Sequence, residues 1–241
     1  FSSLIDSSLD EPVVIASLLS LPRLPELEDY QEKIDPIAMH NSHSELRKFL
    51  GLRLLESLQS YLEKLTCSVS SPWPQGQGER KMVGLIWNFL IASDNSAVRQ
   101  SALKAIEGNS MTLSRYALLA LQQCDCSERE IGMNIFYERW KKHPVVLDTW
   151  FALEASTYSN MGLDKVRALL DHPLYDQMAP NSVRAVLGGF TNNIRTFHNY
   201  DGSGYRFIAE QVIELDKRNP ITASRIVKVF TRWKLSLEDR I

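Results

Sequence analysis

An all-α fold, an α-solenoid or superhelix of stacked short helices, is what the sequence of this 241-residue chain predicts. Three observations carry that expectation. Apolar residues recur at three- and four-residue steps nearly throughout, strand-like alternation is almost absent, and the segments between periodic runs are short. Helices of two to four turns cannot bury an apolar stripe alone, so they must stack in layers. Stacked in chain order, consecutive helical hairpins give a solenoid of the armadillo or HEAT kind. No strict sequence period is present, so any repeat is structural and degenerate. A compact irregular bundle is the alternative; the lack of long crossovers favours the solenoid.

The longest periodic run opens at Asp35-Pro36. Leu46, Phe49, Leu50, Leu54, Leu58, Tyr61, Leu62 and Leu65 fall on one face of an amphipathic helix of several turns. Val69 to Gly78, with prolines and glycines around Trp73, reads as a loop. Helices are expected over Met82 to Ala92 and Ala97 to Ile106, the second capped by Asp94 or Ser96 and stopped at Gly108-Asn109. Met111 to Gln122, Glu128 to Lys142, Pro144 to Ala155, Leu163 to Leu170 and Asn181 to Gly188 continue the series. A short turn near Asn193 and helices over Ser203 to Asp216 and Pro220 to Trp233 complete it.

Residues 1–241 read as a single all-helical domain, long enough to bury a substantial core. A net charge of -2 with no basic block argues against nucleic acid as a partner. No apolar run approaches the ~20 residues that span a bilayer, so a membrane is not expected as a partner either. The start at Phe1, without an initiator Met or a basic-then-apolar leader, suggests a segment of a longer chain. Cys67, Cys124 and Cys126 leave an odd count, and Cys124 and Cys126 lie far from any second pair of ligands. Reduced thiols in a soluble intracellular protein, of cytoplasm or organelle, are the expectation.

The five histidines, His40, His43, His143, His172 and His198, include no H-E-x-x-H spacing, and His40 with His43 reads as a solvated helix face. No G-x-S-x-G elbow, P-loop or G-x-G-x-x-G is present. The segment therefore holds no self-contained catalytic centre: no catalytic residue, no metal ligand and no cofactor are assigned within it. Phe197 to Tyr205 packs two glycines, an aspartate, a histidine and three aromatics into nine positions. Asp201-Gly202 suits a turn, after which Ser203 can cap a helix burying Tyr205, Ile208, Val212 and Leu215. At Asn219-Pro220, Asn is the expected cap and Pro the first helical residue. Ala223, Ile226, Val227 and Phe230 then form a core stripe, leaving Ile221, Arg225, Lys228 and Arg232 on another face. An apolar Ile221 one turn before Arg225 suits a cavity wall better than bulk water. Arg184 lies near a helix N-terminus, where a cation is disfavoured. Its readings are a salt-bridged structural arginine and a recogniser of anions.

In these residues the sequence resembles the C-terminal helical domain of aminopeptidase N, of the bacterial alanyl-aminopeptidase type. The matching segments include Ile34-Asp35-Pro36, Asn109 to Thr112, Phe136-Tyr137 with Trp140, Val146 to Asp148 with Trp150-Phe151, and Leu169 to Pro173. The densest are Pro180 to Arg184, Gly188-Gly189-Phe190, Phe197-His198, Asp201 to Tyr205, and Asn219-Pro220 with Ala223-Ser224-Arg225. The resemblance implies the closing domain of a zinc exopeptidase that removes N-terminal residues from peptides. The parent's single zinc ion and its H-E-x-x-H and G-x-M-E-N motifs would lie in a catalytic domain of the same parent chain, since neither motif occurs here. This domain would cap that partner, enclose the cavity for peptide substrates and supply pocket residues without catalysis of its own. By the resemblance, Arg184, Ile221 and Arg225 are substrate-binding, with Ile221 in the pocket for the first side chain. Relatives commonly carry Gln or Met there, so Ile departs from the pattern and favours apolar first residues. Ala179 departs too, where Asn is usual, and the chain ends before the last helix expected of the family. A stand-alone helical-repeat scaffold, binding a protein or peptide on its concave face, is the alternative. A member whose enzyme half has decayed also stays open.

Overall fold

The structure, a computed structural model, describes residues 11–65, 74–157 and 162–235, the last four by backbone alone. The described residues are overwhelmingly helical and contain no β-strand. In chain order the first helices are α1 (Pro12–Leu19), α2 (Leu24–Glu28), α3 (Pro36–Arg53), α4 (Leu55–Leu65), α5 (Gln77–Ala92), α6 (Ser96–Glu107), α7 (Met111–Leu121) and α8 (Ser127–Trp140). They are followed by α9 (Pro144–Ala155), α10 (Gly162–Leu170), α11 (Pro180–Val183), α12 (Gly189–Thr191), α13 (Ile194–Phe197), α14 (Ser203–Asp216) and α15 (Pro220–Ile226). A π-turn, Arg184–Gly188, joins α11 to α12, and a 3-10 helix, Val227–Leu235, extends α15. The chain forms two compact units, residues 1–23 with 42–136, and residues 24–41 with 137–241.

In the first unit α5 is the central helix. It packs against α1, α4, α6 and α7 and buries Met82, Ile86, Leu90 and Ile91 completely. The expected helix from Pro36 to Leu65 divides at Leu54 into α3 and α4. Leu54, Leu58 and Leu65 are buried as expected, but Leu46 and Phe49 are 46% and 60% exposed. The reason for Phe49 is angular: Gly51 marks the buried side of α3, and Phe49, two residues before it, lies nearly opposite. The cap of α6 also differs from expectation. Asn95 is the N-cap, its side-chain oxygen accepting from the Val98 N–H at 3.1 Å. Asp94 sits at φ 65 and pairs instead with Arg99, while Ser96 is already helical. Residues 69–73 of the expected loop lie outside those described; Pro74 to Gly76 form a turn, and Gln77 opens α5. The expectation of a solvated face at His40 and His43 is corrected as well. His40 is buried, and the half-buried His43 has Nε2 2.9 Å from the Pro22 carbonyl and Nδ1 3.2 Å from Arg47. With Nε2–H donating to Pro22, Nδ1 is left to accept from the guanidinium. Burial and the Arg47 charge hold this imidazole below its ordinary pKa against the Pro22 bond, which raises it.

In the second unit the core gathers Leu147 and Phe151 of α9, Val166 and Leu169 of α10, and Val183, Val186, Leu187 and Phe190 of the α11–α12 segment. Phe197, Phe207, Ile208 and Leu215 continue it. Phe190 is the hinge of this packing, with edge-on contacts to Phe197 and Phe207 at centroid distances of 6.0 and 5.4 Å. Asn193, 1% exposed, is fully used: its Nδ2 donates to the Thr157 carbonyl at 2.7 Å, and its Oδ1 accepts from the Thr196 N–H to cap α13. A buried amide with both ends bonded costs little, whereas one left half-paired would cost about 1–3 kcal/mol.

Candidate functional site

The glycine loop is a turn and a helix start. Gly202 adopts φ 67 as the N-cap residue of α14, and the Asp201 carboxylate accepts from the Ser203 N–H at 2.8 Å. Hydrogen bonding from the Ser203 hydroxyl, and then from its N–H, holds the Asp201 carboxyl below its ordinary pKa, as a carboxylate at a helix N-terminus should be. Ser203 is therefore not the cap but already the first helical residue, and the Asp201 carboxylate just before Gly202 takes its N–H. Across the loop His198 Nδ1 lies 2.7 Å from the Tyr205 hydroxyl, and both rings pack on Phe197. Every polar group of this loop with a described bond is used to shape it.

Asn219 caps α15 as expected, accepting from the Thr222 N–H at 3.0 Å, with Pro220 at the first helical position. Ala223 and Ile226 are buried and Phe230 packs on the core, but Val227 is 42% exposed. Thr222 is buried in its place, and Val229 packs beside Phe230, so the stripe runs Thr222, Ala223, Ile226, Val229, Phe230. That is the i, i+1, i+4, i+7, i+8 pattern of a core-facing helix, with Val227 just past its edge. Ile221 is 69% exposed on the first turn of α15, and Arg225 is exposed one turn on. Arg225 makes no hydrogen bond or ion pair with a described residue, Lys228 is exposed beside it, and the side chain of Arg232 lies outside those described.

Arg184 begins the π-turn and is exposed. No carboxylate among the described residues offsets it: Nε donates to the Pro180 carbonyl at 3.2 Å, and the guanidinium bonds the Asn181 side-chain oxygen. These neutral acceptors orient the charge without neutralising it. The helix beneath is fixed by a polar chain that sequence reasoning did not find. The Asp176 N–H donates to Ser182 Oγ at 3.3 Å, and the Ser182 hydroxyl bonds the Asp148 carboxylate. Burial, with Asp176 nearby, raises the Asp148 pKa against the Ser182 bond that lowers it. The three predicted residues therefore lie in one unit, and α15 packs on the π-turn, but no hydrogen bond or ion pair joins their side chains.

A second cluster, His172 with Tyr137, Trp150 and Phe151, is structural by its contacts. Ring centroids lie 5.7, 5.6 and 5.3 Å from the imidazole. The Leu174 N–H donates to Nδ1 at 3.1 Å, which leaves the proton on Nε2, 3.3 Å from the Tyr137 hydroxyl. Burial lowers the His172 pKa below 6.5. Because the folded value is the lower one, the unfolded chain takes up the proton first as pH falls. This contribution to stability is present above about pH 6.5 and is lost as pH drops through the folded pKa. Melting the protein and its His172→Phe variant at pH 7.5 and pH 5 should show a smaller acid loss for the variant; equal losses would remove His172 as a source.

Among the described residues no three His, Cys, Asp or Glu side chains converge as a metal site. No helix among them is long and apolar enough to cross a membrane.

Short helices stacked on their neighbours, with no strand among the described residues, define a helical-repeat domain. The chain belongs to the family described as "Domain of unknown function (DUF3458_C) ARM repeats", whose model matches residues 1–240. It is 30% identical to aminopeptidase N of Escherichia coli K12 over 233 residues, covering 96% of this chain and 27% of that protein. Aminopeptidase N of Caulobacter vibrioides is 28% identical over 93% of the chain and 26% of its own length. The crystal structure of Legionella pneumophila aminopeptidase A in complex with aspartic acid superposes with a TM-score of 0.87 at 26% identity, covering 99% of this chain and 29% of that one. The chain thus spans roughly a quarter of the length of the relatives it matches.

Proposed function

We propose that residues 1–241 are the C-terminal capping domain of a zinc-dependent aminopeptidase that removes N-terminal amino acids from peptides. The observation that carries this reading is the extent of the likeness: nearly the whole chain matches aminopeptidase N, yet only about a quarter of that enzyme is matched. Zinc, a Lewis acid that polarises the scissile carbonyl and activates water, would be held by the catalytic domain of the same parent chain. The residues here bind and position. Arg225, which makes no hydrogen bond or ion pair with a described residue, would donate charge-assisted hydrogen bonds to a peptide carboxylate or carbonyl. Arg184, held by Pro180 and Asn181, would meet the peptide in the same way. Ile221 offers an apolar wall to the first side chain and no hydrogen bond.

In the parent enzyme, Arg225→Ala should lower kcat/KM for short peptides about tenfold or more, since a hydrogen bond to a charged group contributes roughly 1.5–3 kcal/mol. Zinc content should not change. Unaltered kinetics would make Arg225 a surface residue. Ile221→Gln should shift preference toward polar first residues by roughly tenfold; an unchanged substrate profile would remove Ile221 from the pocket.

A further inference from the structure

Cys124 and Cys126 stand on the turn between α7 and α8, separated by the exposed Asp125. Both are half-buried. The Cys124 N–H donates to the Leu121 carbonyl at 3.4 Å, and its Sγ lies 2.8 Å from the Cys126 Sγ. Unbonded carbon atoms rest about 3.5–4.0 Å apart, and sulfur is larger. A disulfide bond measures about 2.05 Å. The two sulfurs are therefore closer than separate thiols sit, and a small movement of the turn would join them. We propose that Cys124 and Cys126 form a reversible dithiol–disulfide couple, with a small-molecule disulfide as oxidant.

The order of events follows from the surroundings. Burial, the neighbouring Cys126 and Glu128 all favour the protonated Cys124 thiol, against Arg99, which favours the thiolate. Cys124 Sγ–H also donates to the Cys126 Sγ, so the proton stays on Cys124 and Cys126 is the attacking sulfur. Its thiolate displaces one thiolate from the oxidant, leaving a mixed disulfide on Cys126. Cys124 then loses its proton to solvent and attacks the Cys126 sulfur, expelling the second thiolate. Two protein thiols are oxidised, one oxidant disulfide is reduced, and the two protons end on the released thiols. A ring closed across a single intervening residue is strained, so a dithiol reductant should reopen it.

The test uses the full-length protein treated with oxidised glutathione, alkylated and digested with trypsin. One tryptic peptide, Tyr116 to Arg129, carries both cysteines. After oxidation it should be two hydrogens lighter and refuse alkylation; dithiothreitol should restore two alkylated sites. In Cys124→Ser the resolving thiol is gone, and Cys126 should stop as its glutathione adduct. A wild-type peptide that still takes two alkyl groups, or that accumulates stable glutathione adducts, would overturn the proposal.

Discussion

Gly204→Ala is expected to destabilise the second unit by about 3 kcal/mol or more, the upper range for forcing volume into a packed interior. Gly204 is ordinary helix, so no unusual φ explains it. The reason is proximity: a Cβ there would lie on the Phe197 carbonyl oxygen, 2.6 Å from that of Thr196 and 2.7 Å from the Phe197 Cα. All three are backbone atoms of the segment that α14 packs against, and no rotamer change can clear them. Gly202 supplies the contrast. Its Cβ would meet only the Arg206 guanidinium at 3.3 Å, but its φ of 67 costs an L-residue about 1–2 kcal/mol. Gly202→Ala should therefore be the milder change, and Gly202→Asn milder still. Denaturant titration of the three variants reads the order directly; Gly204→Ala matching wild type would show that α14 can move off α13 without loss.

Those two glycines illustrate what the sequence made legible. Asp201-Gly202 declares a turn because turn chemistry is local: φ and one side-chain bond decide it. The Asn219-Pro220 helix start is legible for the same reason, as are the two helices whose bounds match expectation, Pro144–Ala155 and Ser203–Asp216. Gly204 is not legible, because its reason lies in a backbone that only folding brings near. The same limit applies at Leu46 and Phe49. Their spacing fits a core stripe, but which stripe of a helix is buried depends on its neighbour. Val227 fails by one position for the same cause. The first thirty-five residues hold α1 and α2, which have short or weak patterns and were not expected as helices. At the site, Arg184 could be singled out as a cation near a helix N-terminus, and Arg225 by the apolar Ile221 one turn before it. The Asp148–Ser182–Asp176 chain beneath Arg184 could not, since Asp148 is far from the other two in sequence.

Gly188 and Gly189 separate in the same way. A Cβ on Gly189 would come within 2.8 Å of the Ala152 carbonyl, so α12 rests on the backbone of α9. Around Gly188 there is nothing within 4 Å, and packing does not explain that glycine. The π-turn between Arg184 and Gly188 brings Ala185, Val186 and Leu187 together on the buried side while Arg184 stays outside. Its widened backbone ladder is less favourable than an α-turn and persists only where the surroundings hold it. What holds it is the apolar layer ending at Phe190.

Phe190→Ala should accordingly cost about 3–5 kcal/mol, the range for removing a large buried aromatic. Phe190 has no exposed surface, and its edge-on contacts to Phe197 and Phe207 tie α12 to α13 and α14. Such pairs add about 0.5–1.5 kcal/mol to the burial itself. Phe190→Leu keeps much of the volume and loses the ring contacts, so its loss should be smaller, about 1–2 kcal/mol. The variant also separates packing from recognition. If Arg184 is positioned through the layer under the π-turn, Phe190→Leu in the parent enzyme should raise KM for short peptides while zinc content and the fold, read by circular dichroism, are retained. A stable Phe190→Leu enzyme with unchanged KM would show that the π-turn holds Arg184 without help from Phe190. A Phe190→Ala protein within about 1 kcal/mol of wild type would show that the core closes over the cavity.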